Sequence, residues 1–249
     1  MGLHPLASQF DSVADVYERG RPDYAQAVVG ALAAELDLEP RARVLDLAAG
    51  TGKLTRALAA FGLDVVAIEP QAAMRDRLAG ILDPGRVLEG VAESIPLGDD
   101  SVDAVTVADG FHWFDQPKAL EEIHRVLRPR GGLAVLTTVP DWTGTSWAHD
   151  VGTMMQDLRP EHPFFDGTPW QDTVRSAKGW TEPREVRVTT SQPADPSRIV
   201  DYVASMSFVA ALPEDERREW LEKVARLIEA GETPSVLPIH VVIGLTTVA

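Results

Sequence analysis

The hydrophobic residues between positions 42 and 139 form short uninterrupted apolar runs, and a segment with helical spacing follows most of them. Such runs are typical of strands that are covered on both faces of a sheet. Their alternation with helices predicts an α/β fold with a parallel sheet, and right-handed crossovers make that sheet doubly wound. The predicted strands are 42–46, 63–70, 85–93, 101–109 and 132–139, and the predicted helices are 24–36, 52–62, 71–80 and 117–132.

The pattern changes in the second half of the chain. Residues 140–180 are rich in Trp, Pro and Gly and have weak periodicity, so we expect an irregular lid or insertion there. Residues 183–190 alternate like a half-exposed strand, and residues 196–230 have the spacing of two helices broken at Pro213. A last strand is predicted at 237–249. Two late strands separated by helices predict an antiparallel addition at the edge of the sheet.

The composition narrows the classes of protein that fit this pattern. The chain has 249 residues, of which 45% are hydrophobic, so it is long enough to bury the core of one α/β domain. It has no Cys, which excludes disulfides, thiolate nucleophiles and Cys-ligated metals. The formal net charge of −15 disfavours nucleic acids and anionic membranes as partners. We find no signal-peptide pattern and no long apolar run, so we expect a cytoplasmic protein.

A glycine-containing loop follows the first predicted strand, in the sequence VLDLAAGTGKLT. Gly50 and Gly52 allow the backbone to turn sharply and let a ligand approach the main chain closely. Glu69 stands 23 residues after Asp46, at the end of the second strand, where a carboxylate can accept hydrogen bonds from both hydroxyls of a ribose. We therefore expect a nucleoside-bearing ligand across the carboxyl ends of the strands.

The same loop has other interpretations. A phosphate-binding loop fails, because Leu54 follows Lys53 where that pattern requires Ser or Thr. A dinucleotide-binding loop requires a third glycine where Thr55 stands, and Ala48 occupies a position where many nucleoside-binding loops have glycine. An NAD(P)-dependent oxidoreductase is therefore the weaker alternative. A purely structural turn is the third, because strand–glycine–helix turns occur in many α/β proteins.

The stretch ADGFHWFD places three aromatic residues and a histidine at the end of the fourth predicted strand. Asp109-Gly110 is a turn dipeptide. The carboxyl ends of the strands of a doubly wound sheet form its ligand-binding crevice. We therefore expect Phe111 and His112 to border a ligand, and Trp113 to stand beside them.

Taken in order, these motifs resemble those of class I S-adenosylmethionine-dependent methyltransferases. The resemblance covers residues 8–139 well and is carried by FDSVADVYERGRPDY, VLDLAAGTGKLT, VVAIEP, EGVAESIPLGDDSVDAVTVADGFHWFD and EIHRVLRPRGGLAVL. The chain is similar to the subgroup that includes ubiquinone-biosynthesis C-methyltransferases and trans-aconitate methyltransferases.

The resemblance implies a Rossmann-like seven-stranded, mostly parallel sheet with a final antiparallel hairpin. It also implies a single domain in four parts. These are an N-terminal helical cap (1–38), a nucleoside-binding core (39–139), a lid that carries the acceptor site (140–180) and a C-terminal part that completes the sheet (181–249).

The resemblance further implies that the cofactor is S-adenosylmethionine and the product S-adenosylhomocysteine. Asp46 and the loop at Gly50 and Gly52 would hold the amino-acid end of the cofactor, and Glu69 would hold the ribose. Pro70 and Met74 would flank the adenine, and Ala92 and Glu93 would meet its edge. Val91 stands where many relatives have Asp, so the contact with the adenine amine passes to Glu93 or to main chain. The candidate cofactor-binding residues are Phe10, Tyr17, Arg21, Asp46, Ala48, Gly50, Thr51, Gly52, Glu69, Pro70, Met74, Ala92, Glu93, Asp109, Gly110, Phe111 and His112.

Methyl transfer from a sulfonium is an in-line displacement, for which a protein mainly supplies alignment and a water-poor pocket. His112 is the candidate catalytic base, because the pKa of an unperturbed imidazole lies near neutrality. The alternative is that His112 only shapes the pocket wall. Arg21 is either a carboxylate-binding residue or an ordinary surface cation.

The acceptor is expected to be a small molecule. The candidate acceptor-side residues are Trp113, Trp142, Trp147 and Trp170, and their alternative role is a small satellite core. No metal site is expected, because the other histidines show no ligand spacing around His112. A non-catalytic cofactor-binding module of the same fold stays open, and we expect a monomer or a homodimer.

Overall fold

The structure is a computed structural model, and it describes residues 4–141, 146–159, 162–231 and 236–249. The strands are β1 (Arg43–Leu47), β2 (Asp64–Ile68), β3 (Val87–Leu88), β4 (Val102–Ala108), β5 (Leu127–Pro140), β6 (Arg184–Pro193) and β7 (Val236–Thr247). The helices are α1 (Ala14–Gly20), α2 (Gln26–Glu35), α3 (Lys53–Ala60), α4 (Ala72–Leu78), α5 (Gln116–Val126), α6 (Ser146–Leu158), α7 (Pro163–Asp166), α8 (Trp170–Ser176), α9 (Pro196–Ala204), α10 (Ser207–Ala210) and α11 (Glu214–Ala230).

The strands form one sheet in the order β3-β2-β1-β4-β5-β7-β6. The pairs β1–β2, β1–β4, β2–β3 and β4–β5 are parallel. The predicted seven-stranded, mostly parallel sheet with a final antiparallel hairpin is confirmed. Because β1 and β4 are neighbours, the order of the strands reverses between them, and this switch point is where a doubly wound sheet binds its ligands.

The uninterrupted apolar runs are explained by burial on both faces of the sheet. Val44, Leu45 and Leu47 of β1 are at most 1% exposed. Ala119, Leu120, Ile123 and Val126 of α5 belong to the core cluster that covers this part of the sheet. Their spacing of three and four residues gives α5 one apolar face.

Two predicted boundaries are wrong. The third strand is predicted at 85–93 but consists only of Val87–Leu88. A Cβ on Gly90 would lie 2.8 Å from the ring of Pro96, so the chain turns closely there instead of continuing as a strand. The helix predicted at 117–132 corresponds to α5, which ends at Val126, and β5 begins at the next residue. Residues 128–131 bulge out of the sheet, because Leu127 pairs with Val102 and Gly132 with Ala104.

The prediction of an irregular segment over 140–180 is also wrong for its described residues, which include α6, α7 and α8. Trp147, Val151 and Met155 recur every four residues and are buried on one face of α6. The Gly, Pro and Trp content of the segment hid this helical spacing. Residues 196–230 contain three helices, not two, because the chain also breaks between α9 and α10.

The chain forms two compact units, and the first comprises Met1–Pro22, Val139–His162 and Thr189–His240. In this unit α1 packs against α9, and a Cβ on Gly20 would lie 2.2 Å from the backbone nitrogen of Tyr202. Arg19 pairs with Asp201 at 2.7 Å in the same contact. Only a glycine allows the two backbones to approach so closely.

The second unit comprises Asp23–Thr138, Pro163–Val188 and Val241–Ala249. It holds β1 to β4 with α2 to α5. The predicted division into cap, core, lid and C-terminal part stays a prediction. Among the helices described, none combines the length and the apolar character needed to cross a membrane.

Candidate functional site

The loop after β1 has an unusual backbone. Ala48, Gly50 and Gly52 have φ angles of 58°, 57° and 87°. This left-handed conformation is strained for a residue with a side chain, by about 1–2 kcal/mol, so Ala48 strains the loop where a glycine would not. A Cβ on Gly52 would lie 2.5 Å from Ile81, whereas a Cβ on Gly50 would meet no atom within 4 Å. The loop is therefore packed at Gly52 and open at Gly50.

Glu69 holds this loop from the end of β2. One oxygen of its carboxylate accepts a hydrogen bond from the amide of Gly50 at 2.9 Å, and the other accepts from the amide of Gln71 at 2.9 Å. The side chain is buried, with 4% of the residue exposed. A carboxylate has about four acceptor positions, so these bonds are compatible with the predicted contact to ribose hydroxyls.

Asp46 lies at the end of β1 and is buried. Its carboxylate accepts hydrogen bonds from the hydroxyl of Thr55 at 2.6 Å and from that of Thr106 at 3.2 Å. Burial raises the pKa of Asp46 to about 7, although both hydroxyl bonds act in the opposite direction. Thr55 stands where a dinucleotide-binding loop has its third glycine, and here its hydroxyl fastens α3 to β1.

Thr51 provides a polar group that the protein leaves unsatisfied. Its residue is 1% exposed, and its hydroxyl has no hydrogen-bond partner among the residues that the structure describes. A buried unpaired hydroxyl costs free energy. Together with the space above Gly50 and the carboxylate of Glu69, this hydroxyl makes the loop fit a polar nucleoside cofactor such as S-adenosylmethionine.

The turn after β4 lies against the loop after β1. A Cβ on Gly110 would lie 3.5 Å from the Cβ of Ala48. Asp109 has a φ of 53° and accepts a hydrogen bond from the amide of Thr138 at 2.8 Å. The two turns therefore meet at the switch point.

The aromatic stretch after this turn divides its side chains between core and surface. Phe111 is 3% exposed, and its ring packs on those of Phe114 at 5.3 Å and Trp170 at 6.1 Å. His112 is half-buried, with ring centroids 4.6 Å from Trp113 and 5.2 Å from Phe164. Phe111 and Trp170 thus contribute to the core, whereas His112 keeps a partly accessible imidazole among aromatic rings.

Of the predicted adenine-side residues, Met74 is part of α4, and Ala92 and Glu93 follow β3. Met74 and Ala92 are buried. The carboxylate of Glu93 accepts a hydrogen bond from the amide of Asp115 at 2.8 Å, directly before α5. A negative charge is favourable at a helix start. Pro70 follows Glu69 and is partly exposed.

Among the described residues, four predicted ones belong to the first compact unit. The guanidinium of Arg21 lies 5.2 Å from the ring centre of Tyr17 and 4.7 Å from that of Tyr202, and its Nε donates to Ser205 at 2.8 Å. Phe10 packs edge-on against Tyr17 at 5.9 Å. Trp147 is fully buried. Trp142 lies outside the described residues. The ligand-binding roles of these residues stay predictions.

Comparisons with known proteins agree with this geometry. The family model described as a methyltransferase domain matches residues 45–135. An uncharacterized methyltransferase of Mycobacterium bovis is 38% identical over 223 residues, which are 90% of this chain and 86% of the relative. The chain belongs to the methyltransferase family.

Solved structures show the fold of this methyltransferase in other proteins. A candidate type II methyltransferase of Anaeromyxobacter dehalogenans is 25% identical with a TM-score of 0.57, over 91% of this chain and 96% of that one. A phosphoethanolamine N-methyltransferase of Haemonchus contortus has a TM-score of 0.50 and 15% identity, over 96% of this chain and 57% of that one. That enzyme was solved with phosphomonomethylethanolamine and S-adenosylhomocysteine. The narrower resemblance to ubiquinone-biosynthesis and trans-aconitate enzymes stays a prediction.

Sequence reasoning missed two polar contacts of the methyltransferase with its loops, although it counts the Tyr24 ring among the aromatic candidates to face the cationic sulfur of the cofactor. The ammonium of Lys53 is almost fully buried and pairs with Asp23 at 2.8 Å. The hydroxyl of Tyr24 reaches Asp109 and Thr138. The dipeptide Asp23-Tyr24 precedes α2 in a polar stretch, and no periodicity marks it. Within the described ranges, no cluster of three or more His, Asp or Glu side chains is arranged to hold a metal ion.

Proposed function

We propose that this methyltransferase transfers the methyl group of S-adenosylmethionine to a small-molecule acceptor by in-line displacement. The observation that carries the proposal is the bond between Glu69 and the amide of Gly50 at 2.9 Å. It sets a buried carboxylate beside an open glycine loop, at the switch point where a doubly wound sheet binds nucleosides.

The residues at this point fit the cofactor. Glu69 would bind the ribose hydroxyls, and the hydroxyl of Thr51, beside the open space at Gly50, would bind the amino-acid end. Met74 and Ala92 provide a buried apolar surface for the adenine, and Glu93 lies beside Ala92 as an acceptor for its amine. When bound, the cofactor supplies an electrophilic methyl group on a cationic sulfur. The complex of the Haemonchus enzyme with S-adenosylhomocysteine supports this choice.

The chain's own contribution to the displacement is alignment and exclusion of water. The loops after β1 and β4 fix two sides of the crevice, because each is held by hydrogen bonds to a buried or half-buried carboxylate. His112 stands after β4, and its imidazole packs against the rings of Trp113 and Phe164. We assign it the role of base toward an acceptor that must lose a proton, and Trp113 the role of lining the acceptor side.

Calorimetric titration tests the proposal directly. We expect saturable binding of S-adenosylmethionine and S-adenosylhomocysteine, and no heat with NADH. The absence of binding at millimolar S-adenosylmethionine would overturn the proposal, and binding of NADH alone would favour the oxidoreductase alternative. Formation of S-adenosylhomocysteine in the presence of a metabolite extract then separates an enzyme from a binding module.

The role of His112 has its own test. Once an accepted metabolite is found, His112→Gln should lower kcat about tenfold or more and leave the affinity for S-adenosylhomocysteine within about twofold, since general-base assistance is worth roughly 10²–10⁴ in rate. His124→Gln is the matched control, because the His124 ring packs on Trp180 at 5.5 Å, away from the glycine loop. An unchanged kcat in His112→Gln makes His112 part of the wall only.

A further inference from the structure

Tyr24 joins the ends of two strands through one hydroxyl group. Its Oη lies 3.3 Å from Oδ2 of Asp109, which follows β4, and 3.1 Å from Oγ1 of Thr138, near the end of β5. The backbone amide of Thr138 donates to Oδ1 of Asp109 at 2.8 Å. The three residues therefore form a closed ring of hydrogen bonds, and all of them are half-buried.

The direction of these bonds follows from the chemistry of the groups. An ionised carboxylate only accepts hydrogen bonds, so the single proton of the Tyr24 hydroxyl points to Asp109. The hydroxyl of Thr138 then donates to the oxygen of Tyr24. Both oxygens of the Asp109 carboxylate are thus held, one by a backbone amide and one by a phenol that is itself oriented.

Asp23, the residue before Tyr24, binds the loop on the other side of the switch point. The carboxylate of Asp23 accepts a hydrogen bond from Lys53 at 2.8 Å, and Lys53 is the residue directly after Gly52 of the glycine loop. The side chain of Lys53 is 7% exposed, so its position is well determined by packing. Asp23-Tyr24 therefore binds to both loops that border the crevice, one through each side chain.

We infer that Tyr24, with Thr138, is a positioning residue that orients the Asp109 carboxylate toward the ammonium group of the cofactor's methionine moiety. The inference rests on the proposed function. Asp109 has a left-handed backbone with a φ of 53°, which Asp tolerates better than most residues, and this conformation turns its side chain out of the line of β4. A carboxylate held at both oxygens loses little conformational freedom when it binds a cation. Its attraction for an ammonium group therefore contributes more fully to the affinity.

Two ligands that differ only in the amino-acid part test this role. S-adenosylhomocysteine carries the ammonium group, whereas 5′-methylthioadenosine has the adenosine and the thioether without it. Tyr24→Phe should weaken binding of S-adenosylhomocysteine about fivefold, as expected for one hydrogen bond of about 1 kcal/mol, and leave 5′-methylthioadenosine within about twofold. Thr138→Val should act in the same direction, because it removes the hydroxyl that orients Tyr24. The backbone amide of residue 138, which donates to Asp109, is retained in this variant. Binding is measured by calorimetry, and folding is checked by thermal melting.

If Tyr24 acts through Asp109, its effect should depend on the Asp109 carboxylate. In an Asp109→Asn background, Tyr24→Phe should change the affinity for S-adenosylhomocysteine by less than about twofold, because the group that it orients is already altered. Thr189→Val is the matched control, since the Thr189 hydroxyl also has a side-chain partner, His240 at 3.2 Å, outside the site.

The outcomes separate the two proposals. An equal loss of affinity for both ligands in Tyr24→Phe, or no loss for either, overturns the positioning role while the proposed function stands. The positioning role is also overturned if Tyr24→Phe weakens binding of S-adenosylhomocysteine as strongly in the Asp109→Asn background as in the wild type. A wild-type protein that binds neither ligand overturns the proposed function itself, and the positioning role with it.

Discussion

The carboxylate of Glu69 accepts a hydrogen bond from the amide of Gly50 at 2.9 Å, so a residue at the end of β2 holds the loop that follows β1. The second carboxylate oxygen accepts from the amide of Gln71, before α4. The group that is proposed to bind the ribose therefore also shapes the loop beside it. Loss of its charge should affect folding and ligand binding together.

Glu69→Gln tests this double role. A Gln side chain has one carbonyl oxygen for two backbone amides, and its NH2 group faces the other amide donor to donor. We expect a loss of about 2 kcal/mol in the free energy of unfolding and about tenfold weaker binding of S-adenosylhomocysteine. Urea denaturation and calorimetry measure the two effects. Glu89→Gln, which removes an exposed ion pair with Arg75, should change neither, and equal effects of the two substitutions would contradict the role of Glu69.

Gly50 and Gly62 form a matched pair for locating the ligand. Both have positive φ angles, of 57° and 98°, and an added Cβ meets no atom within 4 Å at either position. Gly50→Ala and Gly62→Ala should each lower the free energy of unfolding by about 1–2 kcal/mol, because of backbone strain. Only Gly50→Ala should also reduce the affinity for S-adenosylhomocysteine. Equal affinities in the two variants would mean that the ligand does not approach Gly50.

Asp46 should make stability depend on pH in an unusual direction for a carboxylate. Burial raises its pKa to about 7 from an ordinary value of 3.8, so between these values the folded state binds more protons than the unfolded state. Its contribution to stability is fully present below about pH 4 and is lost as the pH rises to about 7, by an amount on the order of 4 kcal/mol.

Asp46→Asn isolates this contribution. The difference in the free energy of unfolding between wild type and variant, measured in urea from pH 4 to pH 8, should shift steadily in favour of the variant up to about pH 7 and then stay constant. A difference that does not change with pH would show that Asp46 titrates normally.

Arg125 should stabilise the chain that follows Glu93. Its guanidinium donates to the carbonyls of Ile95 at 3.0 Å and Leu97 at 2.8 Å and pairs with Glu122 and Asp99. Arg125→Leu leaves these carbonyls and carboxylates without their donor, so we expect a loss of about 2–3 kcal/mol in urea denaturation.

Arg226→Leu is the matched control for Arg125. It removes only an exposed pair with Glu222 at 3.8 Å, so it should cost less than about 0.5 kcal/mol. Similar losses in the two variants would contradict a special role for Arg125.

The sequence by itself determined the order of the strands and helices around the glycine loop, because that information is local. Apolar runs without alternation mark strands buried on both faces, and Gly50, Gly52 and Glu69 stand at fixed distances from the first strand. Local patterns also have a limit. The helical spacing of Trp147, Val151 and Met155 in α6 was hidden by the surrounding composition.

Only the tertiary structure decided how individual side chains are used. Tyr24 and Asp109 are 85 positions apart, and their hydrogen bond exists because the fold places the segment before α2 against the end of β4. Phe111 and His112 are adjacent in the chain, yet one ring is in the core and the other is half-exposed. Hydrogen bonds and burial depend on distances across the fold, which no spacing along the chain contains.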